Sequence, residues 1–415
     1  MQGVVVGERV AVVLSGAAAR GAFQAGAMAR LLPALSAQGY EPTVFLGTSA
    51  GGINAALWAS LADLGPQDCG AAVVSTWRQM GRADVFAHPV KSLIGDVPRV
   101  LGSVAGWPGG LPALLDTTPL RRTAERVLDV DRLARNVEDG TVAAVGVSAT
   151  WIPTEHPTKD HAHTLQDRTT VFAHSRTLST AGITDPDRAV DLADGPILRE
   201  HVLASAAIPI AFPPVWIDQP SGASGWYMDG GVRLNTPLRP ALALGADRIL
   251  VVAAMSTEYG DPPIRPTQRG SSPPMADSAA VVMHSVLADR MAEDLRTLRS
   301  RNRSAVEAAK VGATLTKSNG DELRAVPLMA VSPEPGQLRE LAAATLRSNV
   351  RRGPLGLWRE SDSIVLDRML RGLGDGPGRA ELFSYLYFDE TYFAEQIKLG
   401  EAAADEALAS GWALD

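Results

Sequence analysis

Thr43-Val44-Phe45-Leu46-Gly47-Thr48-Ser49-Ala50-Gly51-Gly52-Ile53 opens on a short apolar run, passes through a glycine-bracketed turn and leads into residues of helical character through Leu61. The apolar run has the length and β-branched content of a buried strand, and the glycines mark the tight turn that follows it. The same order stands upstream. Residues 10–14 read as a strand and small residues follow at 15–19. Phe23, Ala27, Met28, Leu31, Leu32 and Leu35 then recur at helical spacing until Gly39. A repeated strand-turn-helix pattern favours a parallel sheet wrapped by helices.

Further along, residues 142–147, 170–173, 226–228, 249–253 and 325–331 read as additional strands, with a polar loop between the first two holding His156, His161 and His163. Residues 90–115 mix Gly and Pro with Leu101, Trp107, Leu111 and Leu114, which suits a lid or a packed loop rather than a regular helix. Residues 256–275 form a Pro/Gly/Ser-rich loop. Beyond it, 276–299 reads as one long amphipathic helix with Val281, Met283, Val286, Leu287, Met291 and Leu295 inward, and the region after Gln337 is mostly helical. The organisation expected is a core over 8–255, the loop over 256–275, and a helical region over 276–415 packed on the same domain.

Composition narrows the function classes. A net charge of −7 and a pI near 5.6, with no run of five basic residues, leave nucleic acid without an electrostatic footprint to bind. Contact with a membrane surface would then depend on apolar loops rather than on a polybasic grip. Cys69 is the only cysteine, so neither an intrachain disulfide nor a cysteine metal cluster is available. Residues 1–9 lack a basic signal region, and no apolar run reaches the roughly 20 residues that span a bilayer. A cytoplasmic chain, peripheral at membranes if it meets them, is the expectation.

Three stretches carry candidate chemistry. Gly47-Thr48-Ser49-Ala50-Gly51 is a Gly-x-Ser-x-Gly pentapeptide between strand and helix, where a serine hydroxyl is exposed on a strained turn and the next helix N-terminus favours negative charge. An ordinary Gly/Ser turn is the bland alternative. A nucleophilic serine needs a base, usually a histidine, yet none follows His284 and the histidines of the 155–166 loop stand in no signature. A carboxylate acting alone becomes the candidate. Tyr227-Met228-Asp229-Gly230-Gly231 supplies one at a strand end, although Asp-Gly is also a common turn pair. Third, Ser15-Gly16-Ala17-Ala18-Ala19-Arg20-Gly21 joins a strand to a helix, where exposed N–H groups suit an oxyanion. Tight packing of small residues would produce the same letters.

Together and in this order the three stretches resemble the patatin-like phospholipase family. Its glycine-rich loop ending in Arg-Gly or Lys-Gly corresponds to 16–21, its Gly-x-Ser-x-Gly to 47–51 and its Asp-Gly-Gly to 229–231. The flanks Gly52-Ile53-Asn54-Ala55-Ala56, Ala204-Ser205-Ala206-Ala207-Ile208-Pro209, Phe212-Pro213-Pro214-Val215 and Asn235-Thr236-Pro237 extend the likeness over about residues 9–255. The resemblance implies an α/β three-layer sandwich with a mostly parallel central sheet, followed by a largely helical C-terminal region. It implies a lipid acyl hydrolase, of the phospholipase A or lysophospholipase type, with Ser49 as nucleophile and Asp229 as base, and no metal or cofactor. The N–H groups of Ala17 and Ala18, with Gly16, would hold the oxyanion. Arg20 before Gly21 would fix the loop or meet a phosphate, with Gly47, Gly51, Gly230 and Gly231 shaping the turns. The substrate implied is a lipid or other acyl ester.

One departure stands out: the family loop runs Gly-Gly-Gly where this chain has Gly16-Ala17-Ala18. Alanine keeps the donor but its Cβ disfavours a left-handed backbone. A catalytically weakened lipid-binding or regulatory protein is therefore an alternative reading, and a Ser-His-Asp esterase a third.

Overall fold

The computed structural model describes residues 8–87, 113, 115–154, 167–256, 272–284, 290–316, 322–351, 361–372, 375 and 377–414. Among these residues nine strands form one sheet: β1 (Glu8–Leu14), β2 (Tyr40–Thr48), β3 (Ala144–Ile152), β4 (Arg168–His174), β5 (Val190–Asp194), β6 (Val215–Ile217), β7 (Gly225–Asp229), β8 (Arg248–Val252) and β9 (Leu328–Val331). The order is β5-β4-β3-β2-β1-β8-β9, with β7 paired to β3 and β6 to β7. Pairings through β2, β1, β8 and β9 are parallel, as is β4 with β5, while β3–β4, β3–β7 and β6–β7 are antiparallel. The sheet is thus mostly parallel, with an antiparallel insertion around β3.

The helices among the described residues are α1 (Gly21–Ala37), α2 (Ala50–Leu61), α3 (Pro66–Gln79), α4 (Thr118–Val127), α5 (Val130–Glu138), α6 (Arg199–Ser205), α7 (Leu238–Ala243), α8 (Met275–His284), α9 (Arg290–Lys310), α10 (Gln337–Val350), α11 (Ser361–Gly372), α12 (Pro377–Leu386) and α13 (Glu390–Ser410). Both sheet faces are covered, which explains why the central strands read as continuous apolar runs. Along β1, Val10, Val12 and Leu14 enter one core with α1, α2, α3 and α13, whereas Ala11 and Val13 enter a second with α7 and α9. Three layers result, as the family resemblance implies.

Two strands were not legible beforehand. β5 is Val-Asp-Leu-Ala-Asp, too short and polar to stand out, and β6 has three residues. β3 continues past Val147 through Ser148 and Thr150, polar residues that are nonetheless buried. The helix expected over 276–299 is represented by α8 and α9, with 285–289 outside the described residues. Met291 and Leu295 are buried as expected, but Val281 is 65% exposed, because α8 turns Ala280 toward Leu382 instead. The loop at 155–166, most of 90–115 including Trp107, and 257–271 of the Pro/Gly/Ser-rich loop lie outside the described residues. The C-terminal helices rest on the sheet-covering layer: Phe393, Ile397 and Ala404 of α13 share a core with Phe23 and Met28 of α1.

Candidate active site

The register of β3 brings Ser49 and Asp229 together. Along one edge, β2 pairs in parallel as far as Thr48 opposite Ser148, and at the next residue, Ala149, β7 takes over with Asp229 opposite. β2 runs toward this point and β7 runs toward it from the other end. With a strand rise of about 3.3 Å per residue, the residue following Thr48 must emerge beside Asp229. The Ser49 hydroxyl lies close enough to the Asp229 carboxylate to favour its charged form.

Ser49 stands at φ 56°, ψ −129°, where a side chain is strained by about 1–3 kcal/mol. Several contacts hold it there. Its N–H donates to Ser205 Oγ (2.9 Å), and that hydroxyl donates to the Ser148 carbonyl (2.7 Å). Thr48 Oγ1 donates to the Leu234 carbonyl (2.8 Å) and shares a short hydrogen bond with Ser148 Oγ. The bracketing glycines are sterically required: a Cβ on Gly47 would meet the Gly51 carbonyl at 2.2 Å, and one on Gly51 would meet the Leu14 and Ser15 carbonyls at 2.5 Å. The serine is 4% exposed and sits at the N-terminus of α2.

Asp229 is fixed on all sides. Its N–H donates to the Ala207 carbonyl (2.9 Å), its carbonyl accepts from Thr150 Oγ1 (3.1 Å), and its carboxylate accepts from the Gly231 N–H (2.7 Å). Burial pushes its carboxyl up to about 6, while Ser49 and the Gly231 N–H pull the other way. A carboxylate raised by desolvation is a stronger proton acceptor than one in water.

The 16–21 loop does not act as one row of donors. The Gly16 N–H donates to the Asn235 carbonyl (3.0 Å), and the Gly21 N–H closes a turn onto Ala18. Ala17 and Ala18 donate no hydrogen bond among the described residues, and Ala18 lines the same cleft as Ser49. Ala18 has φ 47°, so alanine occupies the left-handed region where the family loop has glycine. The Arg20 side chain is engaged away from the cleft: its guanidinium donates to Glu381 (2.6 Å) and to Ser384, and lies 3.9 Å over the Tyr385 ring. Burial opposes that charge, but Tyr385, Glu381 and Tyr392 outweigh it and hold the group protonated. This geometry fits the loop-fixing role of Arg20 rather than the phosphate-meeting one.

Opening at Ser49 is a narrow cleft lined by Ala50, Ile53, Trp77, Met80, Val85, Leu120, Thr123, Ala124, Val127, Leu128, Val202, Leu203, Ala206, Ile208, Phe212 and Phe388 as well as Ala18. Beyond Ser49 and Thr123 every lining side chain is apolar. No histidine lines it among the described residues. His201 is instead stacked on Phe172 at 4.1 Å and bonded to the Gln219 carbonyl at 2.7 Å, with burial lowering its pKa. Among the described residues no group of three or more His, Cys, Asp or Glu is arranged to hold a metal.

Sequence reasoning missed Thr48, Ser148 and Ser205, which support the turn. Ser205 lies in the 204–209 flank, and its only signal is a serine inside an otherwise apolar helix end.

The structure is a mostly parallel α/β sandwich with Ser49 and Asp229 brought together at an apolar cleft. The family model for patatin-like phospholipase matches residues 12–242, more than half the chain, and the protein belongs to that family of lipid acyl hydrolases. All three candidate stretches fall inside the match, whereas α8 to α13 lie beyond it. No curated protein matches the chain. No helix among the described residues is long and apolar enough to cross a membrane.

Proposed function

We propose that the chain hydrolyses carboxylic esters of lipids through a Ser49–Asp229 dyad and an acyl-enzyme. The observation that carries this reading is the register of β3, which sets the strained Ser49 beside the buried Asp229, whose carboxyl is raised to about 6. Asp229 takes the hydroxyl proton as Ser49 Oγ attacks the ester carbonyl, and the proton then passes to the departing alcohol. A water, deprotonated by the same carboxylate, cleaves the acyl-serine and releases fatty acid. The oxyanion of each tetrahedral intermediate is met by the N–H groups of Ala17 and Ala18, with the α2 N-terminus adding favourable potential. The apolar cleft receives the acyl chain.

The test is hydrolysis of phospholipids, lysophospholipids and glycerides by the wild type, Ser49→Ala and Asp229→Asn, with folding checked by circular dichroism. Both variants should keep the fold and lose ester hydrolysis. Full turnover in either one removes the dyad.

A further inference from the structure

We infer that the C-terminal helices α12 and α13, outside the matched family region, are the positioning element for the oxyanion loop, acting through Glu381, Ser384 and Gln396. The inference rests on the dyad reading above and assigns these residues a place in its chemistry, without contact to substrate.

The loop poses a physical problem that its own sequence does not solve. Ala18 sits in the left-handed region, which costs an alanine about 1–2 kcal/mol, so something outside the loop must hold it. Helix α1 follows immediately and starts Gly21-Ala22-Phe23, with Arg20 at its N-cap making no side-chain cap. Its first N–H groups need acceptors from elsewhere.

Both needs are met from α13 and α12. Gln396, fully buried, reaches back with its amide: Oε1 accepts from the Phe23 N–H (3.3 Å), and Nε2 donates to the Ala19 carbonyl (3.0 Å). One side chain thereby caps α1 and grips the peptide directly after Ala18. Arg20, 3% exposed, is held by Glu381 and Ser384 and covered by the Tyr385 ring, while Ser384 Oγ also bonds the Glu381 carbonyl (2.7 Å). The anchors are thus placed on both residues that follow Ala18. α13 in turn lies backbone to backbone against α1. A Cβ on Gly400 would stand 2.1 Å from the Phe23 carbonyl, and one on Gly26 would stand 2.2 Å from the Ile397 carbonyl. Two backbones in this contact transmit position rigidly.

An N–H group stabilises an oxyanion only when aimed at it, and losing one such donor costs about 10²–10³ in kcat. Loosening the grip on Ala19 should therefore lower kcat while leaving acyl-chain binding in the cleft unchanged. Gln396→Met keeps the length and apolar packing of the side chain and removes both hydrogen bonds. Ser384→Ala is the milder second variant, removing one contact to Arg20. Each is measured in the full-length protein against a soluble long-chain ester, with active sites counted by a fluorophosphonate burst so that unfolded protein does not enter. Affinity for a trifluoromethyl ketone of the same chain length, which adds Ser49 Oγ to give a hemiketal oxyanion that needs the loop, is the companion readout.

The expected result for Gln396→Met is a kcat per labelled site lower by about 10–100-fold, KM within twofold, and ketone affinity weakened in parallel with kcat. For Ser384→Ala the same pattern is expected at a few-fold. Unchanged kcat per labelled site and unchanged ketone affinity, even in a less stable protein, overturn the coupling and leave the dyad standing. A wild type that takes no label at Ser49 overturns the dyad and this inference with it.

Discussion

Replacing Asp229 by Asn should make the protein more stable, by an amount that depends on pH. Burial lifts the carboxyl from 3.8 to about 6 despite the opposing pull of Ser49 and the Gly231 N–H. That gap of about two units, at about 1.4 kcal/mol each, corresponds to about 3 kcal/mol. The folded state holds a proton that the unfolded chain has already lost between these values. The contribution of Asp229 to stability is therefore fully present below 3.8, declines as pH rises and is gone above about 6, where the ionised group is a constant penalty. Asparagine keeps the shape and an oxygen acceptor for the Gly231 N–H, but carries no charge to desolvate. Urea unfolding should place Asp229→Asn about 3 kcal/mol above the wild type at pH 8 and about half that at pH 5. Because altered hydrogen bonding in the variant is independent of pH, the change of the difference with pH is the diagnostic quantity. An equal difference at both pH values would refute the reasoning. The same group governs catalysis, so kcat/KM of the wild type should fall tenfold per pH unit below about 6.

Three further substitutions probe other parts of the site. Ala18→Gly relieves about 1–2 kcal/mol of left-handed strain against about 0.4–1 kcal/mol of added unfolded-chain entropy, so urea midpoints should rise by the equivalent of roughly 1 kcal/mol with kcat retained; a drop in stability would contradict a positive φ at this position. Ala124→Phe fills the apolar cleft and should slow hydrolysis of long-chain esters at least tenfold more than that of acetyl esters, at a cost of about 1–3 kcal/mol in stability; an equal effect on both chain lengths would place the acyl chain elsewhere. Ser205→Ala leaves the buried Ser49 N–H without its acceptor and should destabilise by about 1–3 kcal/mol, which an unaltered unfolding midpoint would disprove.

How far the sequence carried the fold depended on the kind of signal. Strands buried on both faces, such as β1 and β8, announce themselves as apolar runs, and the two strand-turn-helix joints define a parallel sheet. β5 does not, since two of its five residues are Asp. At β3 the reading stopped at Val147 because Ser148 and Thr150 looked like loop, whereas their hydroxyls are buried to bond Thr48 and the Asp229 carbonyl. Polarity inside a strand was itself the trace of the site. Helical periodicity identified an apolar face at Val281, but not that the face finding a partner in α8 is the one carrying Ala280.

For the site, Ser49 and Asp229 were nameable because each lies in a local pattern, while their meeting depends on β2 and β7 sharing one edge of β3, a property of topology. The loop at 16–21 was legible as a turn. Which of its N–H groups stay open was not, since Gly16 is engaged by Asn235, 219 residues away in sequence. Glu381 and Gln396 left no signal at all. Their partners lie 361 and 373 residues upstream, and a Glu or Gln on an amphipathic helix reads as a solvated surface residue until the fold buries it.

The central claim, that Ser49 is acylated with Asp229 as its base, is tested most directly by rapid-quench intact-protein mass spectrometry during turnover of a long-chain activated ester. The wild type should show one added acyl group, mapped by peptide digestion to Ser49, with none in Ser49→Ala and greatly slowed formation in Asp229→Asn. Acylation at another residue, or hydrolysis at the wild-type rate by Ser49→Ala, would contradict it.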